Sequence, residues 1–311
     1  MIAPMESPGP SSPRGIRIHP DAVVHRDAWL EGDVEVGPRT RIGPGCLLIG
    51  TVGPVTVGSD CQLIANVTLT GPVTLGDGNV LYPQVCLGLP PQDLGFAATT
   101  AGPGCVIGHR NTFREGVSVH RGKTAEPTRI GNGNTWMTAS HLGHDGVVGN
   151  GCTIGTGSVL GGHVVVEDRV TMGRLATMHQ FARLGHDSVV EDTGGVSNGL
   201  APWFVCQSIN AATHVNHAGL QRAHADAADV LAIEWVFEVL YRSGDTPFQA
   251  LPRLRARAGE PIVDDYLRFI ESSPRGLCHG TGRASRGHLH EGAHSSASEG
   301  IEGTPARNTL P

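Results

Sequence analysis

The sequence predicts a mainly β fold: a parallel β-helix built from hexapeptide repeats and followed by a C-terminal α-helical domain. Three observations point there. The composition is rich in glycine, with 44 residues, and poor in aromatic (5%) and charged (17%) residues, which suits short strands joined by tight turns. From residue 130 an apolar side chain recurs at every sixth position. After about residue 210 that period gives way to helical spacing.

The six-residue register runs unbroken through Ile130, Trp136, Leu142, Val148, Ile154, Leu160, Val166, Met172, Met178, Leu184, Val190 and Val196. It starts upstream at Ile18, slips by three after Leu48, and resumes from Val57 to Leu87, with a further short run at Ile107, Phe113 and Val119. A period of six fits neither a 3.6-residue helix nor a two-sided sheet. It fits a β-helix in which each hexamer supplies one strand and one corner, three hexamers closing an 18-residue triangular coil. Glycine often follows the apolar residue, as at Gly131, Gly143, Gly149, Gly155, Gly161, Gly173 and Gly185, and is expected to make the tight corner.

The domain reading follows. Residues 1–16 are Pro/Ser-rich and lack the apolar stretch of a signal peptide, so they read as a disordered leader. The β-helix spans 17–208, interrupted at 88–106 and 121–129 by insertions expected to emerge as functional loops. Residues 209–277 form the helical domain, with helices expected over 217–244, 246–259 and 260–272 and Gly244 as a stop. Residues 278–311 lack an apolar period and read as a disordered tail. Seven cysteines without a CxxC pair indicate a reduced, cytoplasmic protein. The net charge of −6 argues against nucleic acid, and no run of about 18 apolar residues offers a membrane span.

The register also arranges the histidines. Hexamers starting at 119, 142, 160 and 178 share one face, which carries His120, His144, His163 and His179, with His141 at the adjoining corner. Such a column has three readings: a solvated polar ladder, a histidine metal site, or a general base with substrate-binding neighbours. The third is preferred, because an imidazole can take a hydroxyl proton near neutral pH.

Several stretches resemble the bacterial UDP-N-acetylglucosamine 3-O-acyltransferase family: IHPDAVV (18–24), PPQDLGF (90–96), REGVSVHRG (114–122), SHLGHDGVVGN (140–150), LGGHVVVED (160–168), MHQF (178–181), VNHAGLQR (215–222), LYRSG (240–244) and SPRGL (273–277). The resemblance implies a left-handed β-helix and a homotrimer with active sites between subunits. It implies transfer of a 3-hydroxyacyl group from acyl carrier protein to the 3-hydroxyl of UDP-N-acetylglucosamine, the first step of lipid A synthesis, without metal or cofactor. His144 matches the family's general base, Asp145 the residue that orients it, and the Gly143 N–H the oxyanion donor. Asp93, His120, His141 and His163 match sugar-contacting or site-shaping positions. His179, Gln180, Asn216 and Arg222 match positions that hold the sugar nucleotide. Asp192 falls where side-chain size limits acyl length. The chain departs from the family pattern at Gly95 (usually Lys), Ala218 (usually Glu) and Ala223 (usually Arg). Three other functions stay open: a related nucleotide-sugar acyltransferase with a different acyl donor or acceptor, a zinc enzyme of the carbonic anhydrase type on the same fold, and a homologue that binds the sugar nucleotide with weak or no turnover.

Overall fold

The computed structural model describes residues 15–280. It is a parallel β-helix of about eleven turns followed by short C-terminal helices. Of the segments expected to be disordered, residues 1–14 and 281–311 lie outside the described residues.

The apolar register builds the core. All twelve residues from Ile130 to Val196 are at most 3% exposed. They stack in three columns: Val119, Leu142, Leu160, Met178 and Val196 on the first face; Ile130, Val148, Val166 and Leu184 on the second; Phe113, Trp136, Ile154, Met172 and Val190 on the third. Each stacking step is 18 residues, except where an insertion lengthens the coil. Burying each such side chain contributes about 1.5–3 kcal/mol, and the backbone N–H groups are paired from coil to coil.

The corners are made differently from the expectation. From 133 to 193 every sixth residue has φ between +55° and +68°: Gly133, Ala139, Asp145, Gly151, Gly157, His163, Arg169, Leu175, Phe181, Asp187 and Thr193. These lie three positions after the apolar residue, and most are not glycine. The glycines that directly follow the apolar residue serve coil spacing instead. A Cβ on Gly155 would meet the Gly173 carbonyl oxygen at 2.3 Å, and one on Gly143 would meet the Gly162 nitrogen at 2.7 Å. No real Cβ tolerates such contacts, so these positions admit only a residue without one.

Both insertions leave the β-helix at one corner. The first runs from strand Cys86–Leu89 on the first face to Cys105–Ile107 on the second, and the other from Ser118–His120 to Thr128–Ile130. The next coil turns the same corner between His141–Leu142 and Val147–Val148. Arg121, fully buried, ties the two loops together by donating to the carbonyls of Gly88, Ala98 and Thr100 at 2.9, 2.8 and 2.6 Å.

The boundaries shift at both ends. Ile16, expected in the leader, pairs with Val34. The strand Ala211–Val215 pairs antiparallel with Phe204–Ser208, so the residues just past 208 extend the sheet rather than start the helices. Cys278, expected in the tail, is fully buried, and His279–Gly280 pairs with Ala211–Ala212. All seven cysteines are free thiols.

The helices are α1 (His217–Arg222), α2 (Ala227–Phe237) continued by a π-helical turn (Glu238–Arg242), α3 (Pro247–Arg255) and α4 (Pro261–Glu271). The expected 217–244 helix breaks at Ala223–Asp226, where Asp226 caps α2 by accepting from the Asp229 N–H. Thr246 and Gln249 form a capping box on α3. Phe204 packs against Phe237, Tyr241 and Tyr266, and the Tyr266 hydroxyl donates to the Pro202 carbonyl at 2.9 Å.

A charged latch joins α4 to the β-helix. His186 reaches Asp187 through Nδ1 and Asp265 of α4 through Nε2, both at 2.8 Å. Two carboxylate acceptors require both ring nitrogens to donate. Burial alone would lower the imidazole pKa, but the hydrogen bonds and charges of Asp187 and Asp265 outweigh it and raise it to about 9. A raised folded-state pKa stabilises fully below about pH 6.5 and loses that contribution as pH rises through about 9. Denaturation between pH 6 and 10 should show wild-type protein losing on the order of 2 kcal/mol, a loss absent from His186→Gln.

Candidate active site

The histidines gather at the corner between the first and second faces, with two of the expected places exchanged. His141 lies on the flat first face beside the inward Leu142, and His144 stands in the corner turn. A residue beside an inward strand position must point outward along the face. His120, His144, His163 and His179 also occupy unequal positions within their hexamers, so they do not stack in one column; the rings pair as His120 with His141 and His144 with His163, and His179 stands apart. His120 meets His141 edge-on at 4.7 Å, and His144 meets His163 edge-on at 5.1 Å.

The turn resolves how adjacent residues can face each other. Asp145 has φ +58°, which swings its carboxylate back onto its neighbour. Asp145 Oδ2 lies 2.6 Å from His144 Nδ1. Its other oxygen, Oδ1, accepts the N–H of Lys123 at 3.1 Å, the N–H of Thr124 at 2.9 Å and the Thr124 hydroxyl at 2.7 Å. The Asp145 N–H donates to Thr128 Oγ1 at 2.9 Å. The insertion 121–129 thus grips the carboxylate from three sides. Burial alone would raise the Asp145 pKa, but the bonds from His144, Thr124 and Lys123 outweigh it and hold the group below its ordinary value.

A carboxylate at Nδ1 places the proton there and leaves Nε2 with a free lone pair. The pair can therefore take a proton from a hydroxyl at Nε2 and return it. His163 lies with Nε2 3.6 Å from Asp145 Oδ2, its ring stacked on Phe181 at 4.7 Å. His141 Nδ1 shares a hydrogen bond of 2.8 Å with Ser118 Oγ. Burial, then the neighbouring His141 and His144, push the His120 pKa down to about 4, so it stands neutral, and its buried Nδ1 has no partner among the described residues. Asp93, from the first insertion, pairs with Lys123 and accepts the Gly95 N–H at 2.8 Å. The electrostatic influence of His144 also reaches it.

Other expected residues lie apart. His179 and Gln180 are two coils further along, on an open groove of about 470 Å³ lined also by Gly161, Met178, Ser197 and Ile209. Asn216 caps α1, its Oδ1 accepting from Gly219 and its Nδ2 donating to the Asp187 carbonyl, so both amide atoms are engaged. Arg222 ends α1 and makes no ion pair among the described residues. Asn216 meets Asp187, more than two coils beyond Asp145, and no contact among the described residues joins Asn216 or Arg222 to His144. A 770 Å³ cavity between the second face and α4 holds none of the expected residues, and its charges are largely internally paired, as in Arg183 with Glu167 and Arg268 with Asp265.

Gly143 is not a free donor. Its N–H is committed to the Leu160 carbonyl at 2.8 Å, a coil-to-coil bond. Gly162, one coil on, went unnoticed in the sequence. A Cβ there would lie 2.9 Å from His144 Cε1 and 3.0 Å from Nε2, and its N–H makes no hydrogen bond among the described residues. Lys123, Thr124 and Thr128 were also missed individually, although the break in register had marked their loop.

One group could hold a metal ion: single ligand atoms of His144, Asp145 and His163 lie within 4.8 Å of one another. No helix among the described residues is long and apolar enough to cross a membrane.

Residues 200–278 match the model of the family described as UDP-N-acetylglucosamine O-acyltransferase, domain 2. The acyl-[acyl-carrier-protein]–UDP-N-acetylglucosamine O-acyltransferase of Myxococcus xanthus is 38% identical over 265 residues, covering 84% of this chain and 98% of the relative. The chain belongs to this family. The protein of the same name from Anaeromyxobacter sp. (strain Fw109-5) is 34% identical over 213 residues, covering 67% of this chain and 82% of the relative. The solved structure of the Francisella novicida UDP-N-acetylglucosamine acyltransferase superposes with a TM-score of 0.75 at 27% identity, over 85% of this chain and 95% of that one. This chain is therefore an acyltransferase.

Asp192 is ion-paired, taking the Arg174 N–H at 2.7 Å and the Arg174 Nε at 2.9 Å. Arg174 holds its carboxyl below the ordinary value. The pair sits at the corner between the third and first faces, across the first face from the histidines.

The His144–Asp145 bond gives a direct test. Asp145→Asn removes the carboxylate that fixes the ring tautomer. Acyl transfer should fall by about 10²-fold, and ¹⁵N NMR of His144 should show mixed tautomers in place of one.

Proposed function

We propose that the protein transfers a 3-hydroxyacyl group from acyl carrier protein to the 3-hydroxyl of UDP-N-acetylglucosamine, the entry step of lipid A synthesis, with His144 as general base. The observation that carries the reading is the 2.6 Å contact of His144 Nδ1 with an Asp145 carboxylate locked by three further donors. Family membership supplies the donor and acceptor, through the names its relatives bear.

The steps follow from that geometry. Asp145 keeps the proton on Nδ1, so Nε2 takes the proton of the sugar hydroxyl. The oxygen attacks the thioester carbonyl carbon, and the carbonyl oxygen becomes an oxyanion. The Gly162 N–H is the donor we assign to it, in place of Gly143, because it is uncommitted and its Cα lies against the imidazole. Collapse breaks the carbon–sulfur bond. The thiolate takes the proton back from Nε2, leaving an ester and a free thiol on the carrier. Asp93, His141 and His163 line the acceptor side in this reading, and His179, Gln180, Asn216 and Arg222 hold the nucleotide.

The nucleotide residues make no contact with His144 among the described residues of one chain, an arrangement in keeping with the homotrimer with shared clefts that the family resemblance implies. Exposed apolar side chains border the first face: Met137, Val159, Leu175, Phe181 and Ile209. Exposed apolar side chains along one face suit a subunit interface. Sedimentation should find three copies per particle.

His144→Ala should lower kcat/KM by about 10²–10⁴-fold with the circular dichroism spectrum and trimer unchanged. Near-wild-type turnover would reject the base. Gly162→Ala, which places a methyl against the imidazole, should lower kcat at least tenfold while Gly143 stays intact. The metal-capable group His144, Asp145 and His163 supports a second reading as a zinc site. Stoichiometric zinc in purified protein, lost in His163→Ala together with activity, would favour it.

A further inference from the structure

Lys123 is the only lysine in the 311-residue chain, so every other cation among its 23 Lys and Arg residues is an arginine. It stands in the 121–129 insertion, and it touches both carboxylates of the site. Its ammonium pairs with Asp93 Oδ2, and its backbone N–H donates to Asp145 Oδ1 at 3.1 Å. The loop that carries it is anchored by the buried Arg121 and by the Gly122 N–H on the Gly104 carbonyl at 2.7 Å.

The choice of lysine over arginine has a physical meaning here. Where arginine meets a carboxylate in this chain, it often takes both oxygens with its fork. Arg39 does so on Asp60, Arg169 on Asp187 and Arg257 on Glu260. Such a fork engages both carboxylate oxygens at once and fixes their plane. An ammonium is a point donor and takes one oxygen. Asp93 Oδ1 is left with a single partner, the Gly95 N–H at 2.8 Å, and retains lone pairs for a further donor. The Lys123 side chain is 37% exposed, so the ammonium also keeps donors open to solvent.

We propose that Lys123 is the positioning residue for the acceptor sugar: it fixes the Asp93 carboxylate next to the loop that grips Asp145 while leaving it free to accept a sugar hydroxyl. The inference rests on the acceptor assigned under Proposed function. It also accounts for Gly95, where the family pattern has a lysine. The cation that would reach Asp93 from position 95 reaches it from the neighbouring loop. Gly95 does not have the left-handed backbone that only glycine adopts readily, and a Cβ there would lie 3.2 Å from Asp93 Oδ1. A side chain at 95 therefore starts against the same carboxylate.

The test is steady-state kinetics in UDP-N-acetylglucosamine on the full-length protein. Lys123→Met removes the ammonium and keeps the backbone N–H that serves Asp145. KM for the sugar nucleotide should rise about tenfold, with kcat within about twofold. Adding Gly95→Lys to Lys123→Met should recover most of the loss. A merely structural Lys123 would instead lower kcat and the melting temperature together, with no rescue from position 95, and that pattern overturns the proposal, as does an unchanged KM. The two failures are separable. Wild-type protein that acylates no UDP-N-acetylglucosamine overturns the function above, whereas active wild-type protein whose KM ignores Lys123→Met overturns the role of Lys123 alone.

Discussion

The site depends on the coil-to-coil register. Each coil hydrogen-bonds to the next along its strands, so residues 18 apart lie on top of one another unless an insertion intervenes. One residue per corner adopts a left-handed backbone to close the turn. That requirement shapes the chemistry. Asp145 occupies such a position, and its positive φ turns the carboxylate onto His144 when an extended strand would have sent the two side chains to opposite faces. The stacking position one coil on is His163, and the next is Phe181, which gives the site a packed wall.

The second constraint is where the register breaks. Both insertions emerge at the histidine corner, on the coils just before His144. A solenoid contacts only its neighbours, so a loop can reach the histidine corner only from an adjacent coil. The loops deliver what flat strands cannot: three donors to Asp145, a carboxylate at Asp93 and a single ammonium between them. The buried Arg121 makes the two loops one unit. Charge is handled in the same local way elsewhere. Asp192 is matched by Arg174 one coil away.

The six-residue period was sufficient to read the core, the three faces and the coil length, because inward apolar positions leave a direct mark on the sequence. It also brought His120, His141, His144 and His163 to one region. It misplaced His141 and His144 relative to the corner, because a period locates a residue within its hexamer but does not say where strand ends and turn begins. It assigned glycines to corners that are closed by Asp145, His163 or Leu175, since close coil spacing and left-handed backbone both favour glycine and composition does not separate them. Gly143 read as a free donor because the bond to Leu160 joins residues in different coils.

The sequence by itself determined the β-helix, its register, the helical C-terminal domain and the family, because each is carried by repeated or contiguous residues. Only the tertiary structure decided which groups meet: Asp145 with Thr124, Asp93 with Lys123, Gly162 with His144, and His186 with Asp265. The reason is geometric. These partners lie between 18 and 79 residues apart, and their meeting is set by where a loop leaves the coil, by the sign of φ at a corner and by which N–H groups the coil stacking has already consumed.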